Sequence, residues 1–337
     1  MQLRLALVLC AALLGAFALG PTGRAQPPAS TATTTIRLAT LAPRGSAPYR
    51  VLSAWGNSLR EQTGGALTIH VESASDESAI VRDLQAHRIE GAAVTSVGLG
   101  TLCRPVLVLQ APGVAEDYAA LDRARTALDT TLRGELSSSD LHLLGWGEAG
   151  RGRIFSTRPI QTPAELAAGH PWELPGNPIL DEFLHQAHAT GVPLPLAGVQ
   201  GALASHQVDV VFGSATIINA LQWHTHLTHV QLGSRSVLIG ATVVSRSFYD
   251  GLPAAQQQAL DATAAQAHTR LSRDGRTSDD HAYQTLLGRG LVEVDTSAHD
   301  AEWIRVAHDA RNALVGRLYT QALLNQAWTA AGHPGTP

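Results

Sequence analysis

No lysine occurs anywhere in this chain, so all 24 of its basic residues are arginine. The arginines are scattered and form no basic run, and the net charge is −4, which argues against nucleic acid as a partner. The absence of lysine fits a coding sequence rich in G and C. Cysteine is almost as scarce, with only Cys10 and Cys103. If Cys10 leaves with an N-terminal signal, no internal disulfide can form and stability must come from a packed core. Beyond Leu19 no apolar stretch reaches membrane-spanning length. Also missing are a Gly-x-Ser-x-Gly elbow, a P-loop, a Gly-x-Gly-x-x-Gly turn after a strand, and the HExxH or CxxC frames of zinc sites. These absences count against a hydrolase, a nucleotide enzyme and a metalloenzyme.

What is present begins with Met1–Arg4, a short positive segment, followed by an apolar run from Leu5 to Leu19 broken by Gly15. The run is too short and poorly flanked for a stable span but suits a secretory signal. Gly23-Arg24-Ala25 places small residues where a signal peptidase reads, so cleavage is expected after Ala25 and the mature protein is expected in the periplasm. Lipidation at Cys10 is the alternative, although this cysteine lies inside the apolar run instead of at its end. Residues 26–34, rich in Pro, Ala and Thr, read as a flexible leader.

From Thr35 onward strands alternate with helices. Thr35–Leu41 reads as a strand, Pro48–Thr63 as a helix stopped by Gly64-Gly65, and Leu67–Val71 as a second strand. Helices near Ser78–His87 and Asp117–Leu132 and strands near Gly91–Thr95 and Leu141–Trp146 continue the pattern. After Pro159 it resumes with helices at Pro178–His188 and Gly198–Ser205 and strands near Val192–Pro195 and Val208–Phe212. Val237–Val244 is a further β-rich run, and Pro253–Leu286 a long Ala- and Gln-rich helix. The expected fold is α/β, with two α/β units in series and each sheet covered on both faces. Residues 35–150 would form a first lobe joined by about 237–280, and residues 151–236 a second joined by about 281–330.

Five ordered patterns cover nearly the whole chain after the leader: Leu38–Ser46 with Glu61–Gly65; Ile89–Leu99; Leu144–Gly150 with Phe155–Leu166; Ala202–Asp209; and Leu221-Gln222-Trp223. Together they resemble the solute receptors of TRAP transporters, the DctP-like family. The resemblance implies a two-lobed periplasmic-binding-protein-like fold with a hinge. It also implies a small-molecule ligand held between the lobes and delivery to the membrane subunits of a TRAP permease, with no cofactor and no catalysis.

One stretch departs from the family. Members that bind organic acids carry an arginine in a Gly-x-x-x-Arg-Val-Pro pattern, whereas this chain reads Gly169-His170-Pro171-Trp172-Glu173-Leu174-Pro175, with Glu173 in the arginine's place. A guanidinium there would clamp a ligand carboxylate and a carboxylate would repel it, so an apolar, neutral or cationic ligand is expected. The candidate ligand contacts are Ser96, Trp146, Glu148, Arg151, Trp172, Glu173, Phe212, Gln222 and Trp223. Arg151 or Arg153 could restore a positive charge. Core packing is the alternative for the two tryptophans Trp172 and Trp223, and a register shift of one would turn Glu173 to solvent. A rival reading is a periplasmic metal-binding protein using His224, His226 and His229, or His185 and His188, although neither cluster has an acidic or cysteine frame beside it.

Overall fold

The computed structural model describes residues 33–337. The expected signal, its cleavage point and the leader up to residue 32 lie outside the described residues. The chain opens with β1 (Thr34–Thr40), α1 (Ala47–Gln62), β2 (Leu67–Ser73), α2 (Glu77–Gln85) and β3 (Gly91–Thr95). In α1 the buried Val51, Leu52, Trp55 and Leu59 recur at helical spacing, and Ser46 caps its start. Then come α3 (Ser96–Leu102), a 3₁₀ turn over Arg104–Gln110, α4 (Tyr118–Ser138) and β4 (Leu141–Ser156).

The middle of the chain holds α5 (Pro163–Ala167), β5 (Trp172–Glu173), α6 (Pro178–Gln186), β6 (Val192–Pro193), α7 (Val199–Ala204), β7 (Val210–Gly213) and α8 (Ala215–Ala220). Thr162 and Glu165 form a reciprocal capping box at the start of α5. The last third contains β8 (His229–Gln231), β9 (Ser236–Ser245), α9 (Arg246–Asp250), α10 (Ala254–Gly288), β10 (Val292–Val294), α11 (Asp300–Ala313) and α12 (Gln321–Ala331).

Strands β2, β1 and β3 run parallel, and β9 joins β3 and β4 by antiparallel pairing. The 16-residue β4 belongs to two sheets. Its Leu141–Gly152 portion pairs with β9, and its end pairs with β7 and β8, beyond which lies β10. Each half of the molecule is thus a sheet between apolar clusters. Ile36, Leu38, Trp55 and Leu260 fill one face of the first sheet, and Leu99, Leu107, Leu128 and Ile239 the other. In the second half Phe155, Val211, Trp223 and Leu286 form one cluster and Ile154, Phe183, Val210 and Trp303 the other. This is the expected two-lobed α/β fold.

Two differences from the sequence reading have physical causes. Strand β4 extends ten residues past Trp146, because Gly152 lets it lie close to Ser236 of β9 and a register shift between Glu148 and Arg151 carries the pairing past Gly150. Helix α12 packs its Leu323, Leu324, Ala327 and Ala331 into the first half, on α4, so the chain returns there after α11.

The elements β4 and α10 pass through both halves and are joined by buried polar groups. Asp279 of α10 is fully buried and accepts from Arg151 N at 3.0 Å, Thr216 N at 3.2 Å and the Arg153 guanidinium at 3.4 Å. Gly150 has φ +105°, and a Cβ there would stand 2.5 Å from Asp279 Cγ. Nearer its start, α10 buries His268. The ring's Nδ1 lies 2.8 Å from Ala264 O and its Nε2 2.8 Å from Thr242 Oγ1. The carbonyl can only accept, so Nδ1 carries the proton and the Thr242 hydroxyl donates to Nε2. Burial holds this imidazole below its ordinary range.

Gly150→Ala is expected to destabilise the protein by about 1–3 kcal/mol through backbone strain alone. Gly134→Ala, in α4 with open space around it, should instead gain about 0.8–1 kcal/mol. Urea unfolding midpoints of the two variants check the opposite signs. His268 takes up a proton in the unfolded chain before it does in the folded one. Stability is therefore full above the ordinary imidazole pKa of 6.5 and falls as pH drops below it. Unfolding midpoints between neutral pH and mild acid should decline, and His268→Gln should flatten the part of that decline due to this ring.

Candidate functional site

In open α/β sheets ligands bind beyond the C-terminal ends of the strands. In the first half the loops and helix starts after β1 and β3 occupy that position. In the second half it is occupied by the loop from β5 to α6 and the start of α8. Two of these adjoin across the molecule: a methyl at Gly176, after β5, would lie 3.7 Å from Val97 Cγ1, after β3. Ile179 of α6 also packs against the first half's core.

Backbone donors after β3 and β7 are engaged by the protein's own carboxylates. After β3, Thr95 N donates to Glu77 Oε1 at 2.6 Å, Thr95 Oγ1 to Glu77 Oε2 at 2.7 Å, and Gly98 N to Glu77 Oε2 at 3.1 Å. After β7, Thr216 N donates to Asp279. Ser96 opens α3 and is half-buried.

Trp146, Glu148 and Arg151 share one face of β4, opposite Ala241, Ile239 and Val237 of β9. That face meets α4 and α10. The Glu148 carboxylate is fully buried between Arg125 at 2.7 Å and Arg276 at 2.8 Å. Arg276 also holds Asp122 at 2.7 and 2.8 Å, and these hydrogen bonds keep the Asp122 carboxyl below its ordinary range. Arg151 pairs with Asp280 at 2.9 Å and lies over the Tyr118 ring, with Arg276 also against that ring. Burial pushes the Tyr118 hydroxyl up. Arg153 is buried on Asp279, with its guanidinium 4.1 Å from the Tyr283 ring centre. Trp146 lines a groove of about 860 Å³ between α4 and α10. The opposite face of β4 presents Gly147 and Gly152 beside Gly240 and Ser236, a surface without charge.

The second half separates its candidates. Trp172 is 4% exposed and Trp223 1%; they meet edge-on at 5.4 Å, and Trp172 Nε1 donates to Leu194 O at 2.8 Å. Both indoles therefore lie in the core here, with Trp172 fixing β5 against the chain after β6. Glu173, half-buried, points the other way, towards Gly191, where a Cβ would approach the Glu173 Cβ to 2.7 Å. Phe212 stands edge-on to Phe183 at 6.0 Å. Gln222 is exposed at a left-handed turn with φ 58°, its carbonyl capped by Thr225.

The histidines point to separate partners. His224 contacts Arg289, His226 contacts Gln200, and His229 contacts Thr228. Among the described residues no group of three His, Cys, Asp or Glu side chains is placed to hold a metal. The sequence reading missed Glu77, Asp279, Arg276 and Tyr118. Each gains its partner across 18 or more residues, and only the folded sheet brings those partners together.

Residues 38–312 match the profile of the bacterial extracellular solute-binding protein, family 7, called DctP. Among solved structures, a solute receptor of Bordetella pertussis that binds pyroglutamic acid superposes with TM-score 0.79 at 16% identity, over 89% of this chain and 99% of that one. A TRAP periplasmic solute binding protein of Desulfovibrio desulfuricans with bound sn-glycerol-3-phosphate gives TM-score 0.80 at 20% identity, over 90% and 99%. One of Shewanella oneidensis with bound succinate gives 0.79 at 15%, over 89% and 100%. The family match spans well over half the sequence, and the chain belongs to the family 7 bacterial extracellular solute-binding proteins, which are receptors and not enzymes.

Proposed function

We propose that this protein is the periplasmic receptor of a TRAP transporter, that it binds a small ligand without net negative charge between its two halves, and that it delivers the ligand to the permease's membrane subunits. The observation that carries the ligand class is the engagement of donors after β3 and β7 by internal carboxylates, Glu77 and Asp279. A ligand carboxylate arriving there would meet spent donors and like charge. Arg151 and Arg153, the arginines expected to compensate for Glu173, are both held by aspartates of α10. The uncharged β4–β9 face around Gly147 and Gly152 suits a neutral or apolar ligand body.

Ser96, Glu173 and Phe212 are the proposed contacts nearest these strand ends, and Trp172 and Trp223 support the wall from behind. The acids bound by the similar receptors set the contrast. Isothermal titration of the native protein with succinate, pyroglutamate and sn-glycerol-3-phosphate should give no binding heat. Saturable binding of any of them would overturn the ligand class and leave the receptor reading intact. The receptor reading itself fails if native mass spectrometry and a broad screen of neutral and cationic solutes find no ligand.

A second outcome separates core from contact. Trp172→Ala should lower stability by about 3–5 kcal/mol as a large-to-small core change. Glu173→Gln should stay within about 0.5 kcal/mol of the parent while altering affinity for whatever ligand is retained. Urea midpoints measured beside ligand titrations read both.

A further inference from the structure

We propose that Arg276 and Asp279, three residues apart on α10, are the positioning residues that confine movement between the two halves to one short level of the molecule. The inference rests on the reading of the protein as a receptor that closes on its ligand. Arg276 ties α10 to the first half, through Glu148 of β4 at 2.8 Å and Asp122 of α4 at 2.7 Å. Asp279 ties the same helix to the second half, through Arg153 at 3.4 Å and Thr216 of α8 at 3.2 Å, and also accepts from Arg151 N at 3.0 Å.

The two anchors stand about 4.5 Å apart along the helix axis. In β4 the register with β9 shifts at the same level, between Glu148 and Arg151, where Gly150 takes φ +105°, and the strand passes from β9 to β7 just beyond, after Gly152. A Cβ on Gly275 would lie 3.3 Å from Glu148 O, so the helix and the strand touch there.

The other two crossings turn through glycines and carry anchors of their own, Arg235 N to Gly152 O at 2.8 Å and Ser234 to Glu116 O in one, Arg317 to Glu182 in the other. The link from β8 to β9 contains Gly233 at φ +86°, and the link from α11 to α12 contains Gly316 at φ +79°, and a Cβ at either glycine would have no neighbour within 4 Å. Bending α10 or β4 on either side of the bracketed level would pull a buried ion from its partners, which is costly. Bending within it, at Ala149-Gly150 and Thr277-Ser278, breaks neither set. Removing either anchor should therefore let the bend spread and the halves sample a wider range of separations.

The test needs no ligand. Nitroxide labels at Glu61→Cys, at the end of α1, and Ser205→Cys, after α7, both exposed, report the separation of the halves by pulsed dipolar spectroscopy, while native Cys103 is buried. Arg276→Gln and Asp279→Asn should each widen the distance distribution roughly two-fold, as expected for released hinge motion. Arg276→Lys should restore part of the original width, since it keeps the charge. Asp129→Asn, which breaks the half-exposed pair with Arg133 on α4, should change nothing. Unchanged widths in the folded Arg276→Gln protein, or equal widening by Asp129→Asn, would overturn the proposal. Should Asp279→Asn fail to melt cooperatively, the Arg276 pair of variants decides alone. A protein that shows the widening yet binds no solute would sink the receptor reading and leave the positioning role standing.

Discussion

A carboxylate sealed from water sets the terms for this molecule. The Asp279 carboxylate is met by the Arg151 amide and the Arg153 guanidinium from β4 and by the Thr216 amide from α8, so two separate stretches of the chain converge on it. Burying a charge is tolerable only when such partners converge on it. Their convergence fixes where α10 crosses β4, how far α8 may stand from both, and why residue 150 must lack a side chain. The adjoining Glu148–Arg276–Asp122–Arg125 cluster extends the same arrangement into the first half. Arginine suits both clusters because its planar fork serves two carboxylates at once, as Arg276 does.

Much of the architecture was legible in the sequence because it depends on local periodicity. Val51, Leu52, Trp55 and Leu59 announce α1, and β3 begins and ends where the alternation of Gly91–Thr95 places it. The long α10 was readable from its composition. Strand β4 was only half visible, since its glycines mimic a loop and its true length depends on β9, more than eighty residues away. Short elements such as α3 and α8 are capped locally by Thr95 and Ser214, but they also donate hydrogen bonds to distant Glu77 and Asp279, which no local pattern announces.

The candidate contacts divide along the same line. Position within a familiar pattern identified Glu173 and the β4 arginines as unusual, and the fold accounts for how those arginines are neutralised. Orientation was not legible. The outward or inward sense of Trp172 depends on Leu194 and Trp223, which reach it through β6 and a turn after α8. Identities of 15–20% with the similar receptors make the same point, because the fold is shared at identities that need not preserve individual side-chain contacts.

The burial of the indoles also decides what light can report about this protein. Trp55, Trp172, Trp223 and Trp303 are all at most 4% exposed, and only Trp146 and Trp328 reach the surface in part. Most of the intrinsic emission therefore arises from rings in dry surroundings, far from any solute in the medium. A change in colour or intensity of that emission is a signal from the packed interior: it records loss of the fold faithfully and is a poor witness to occupancy between the halves.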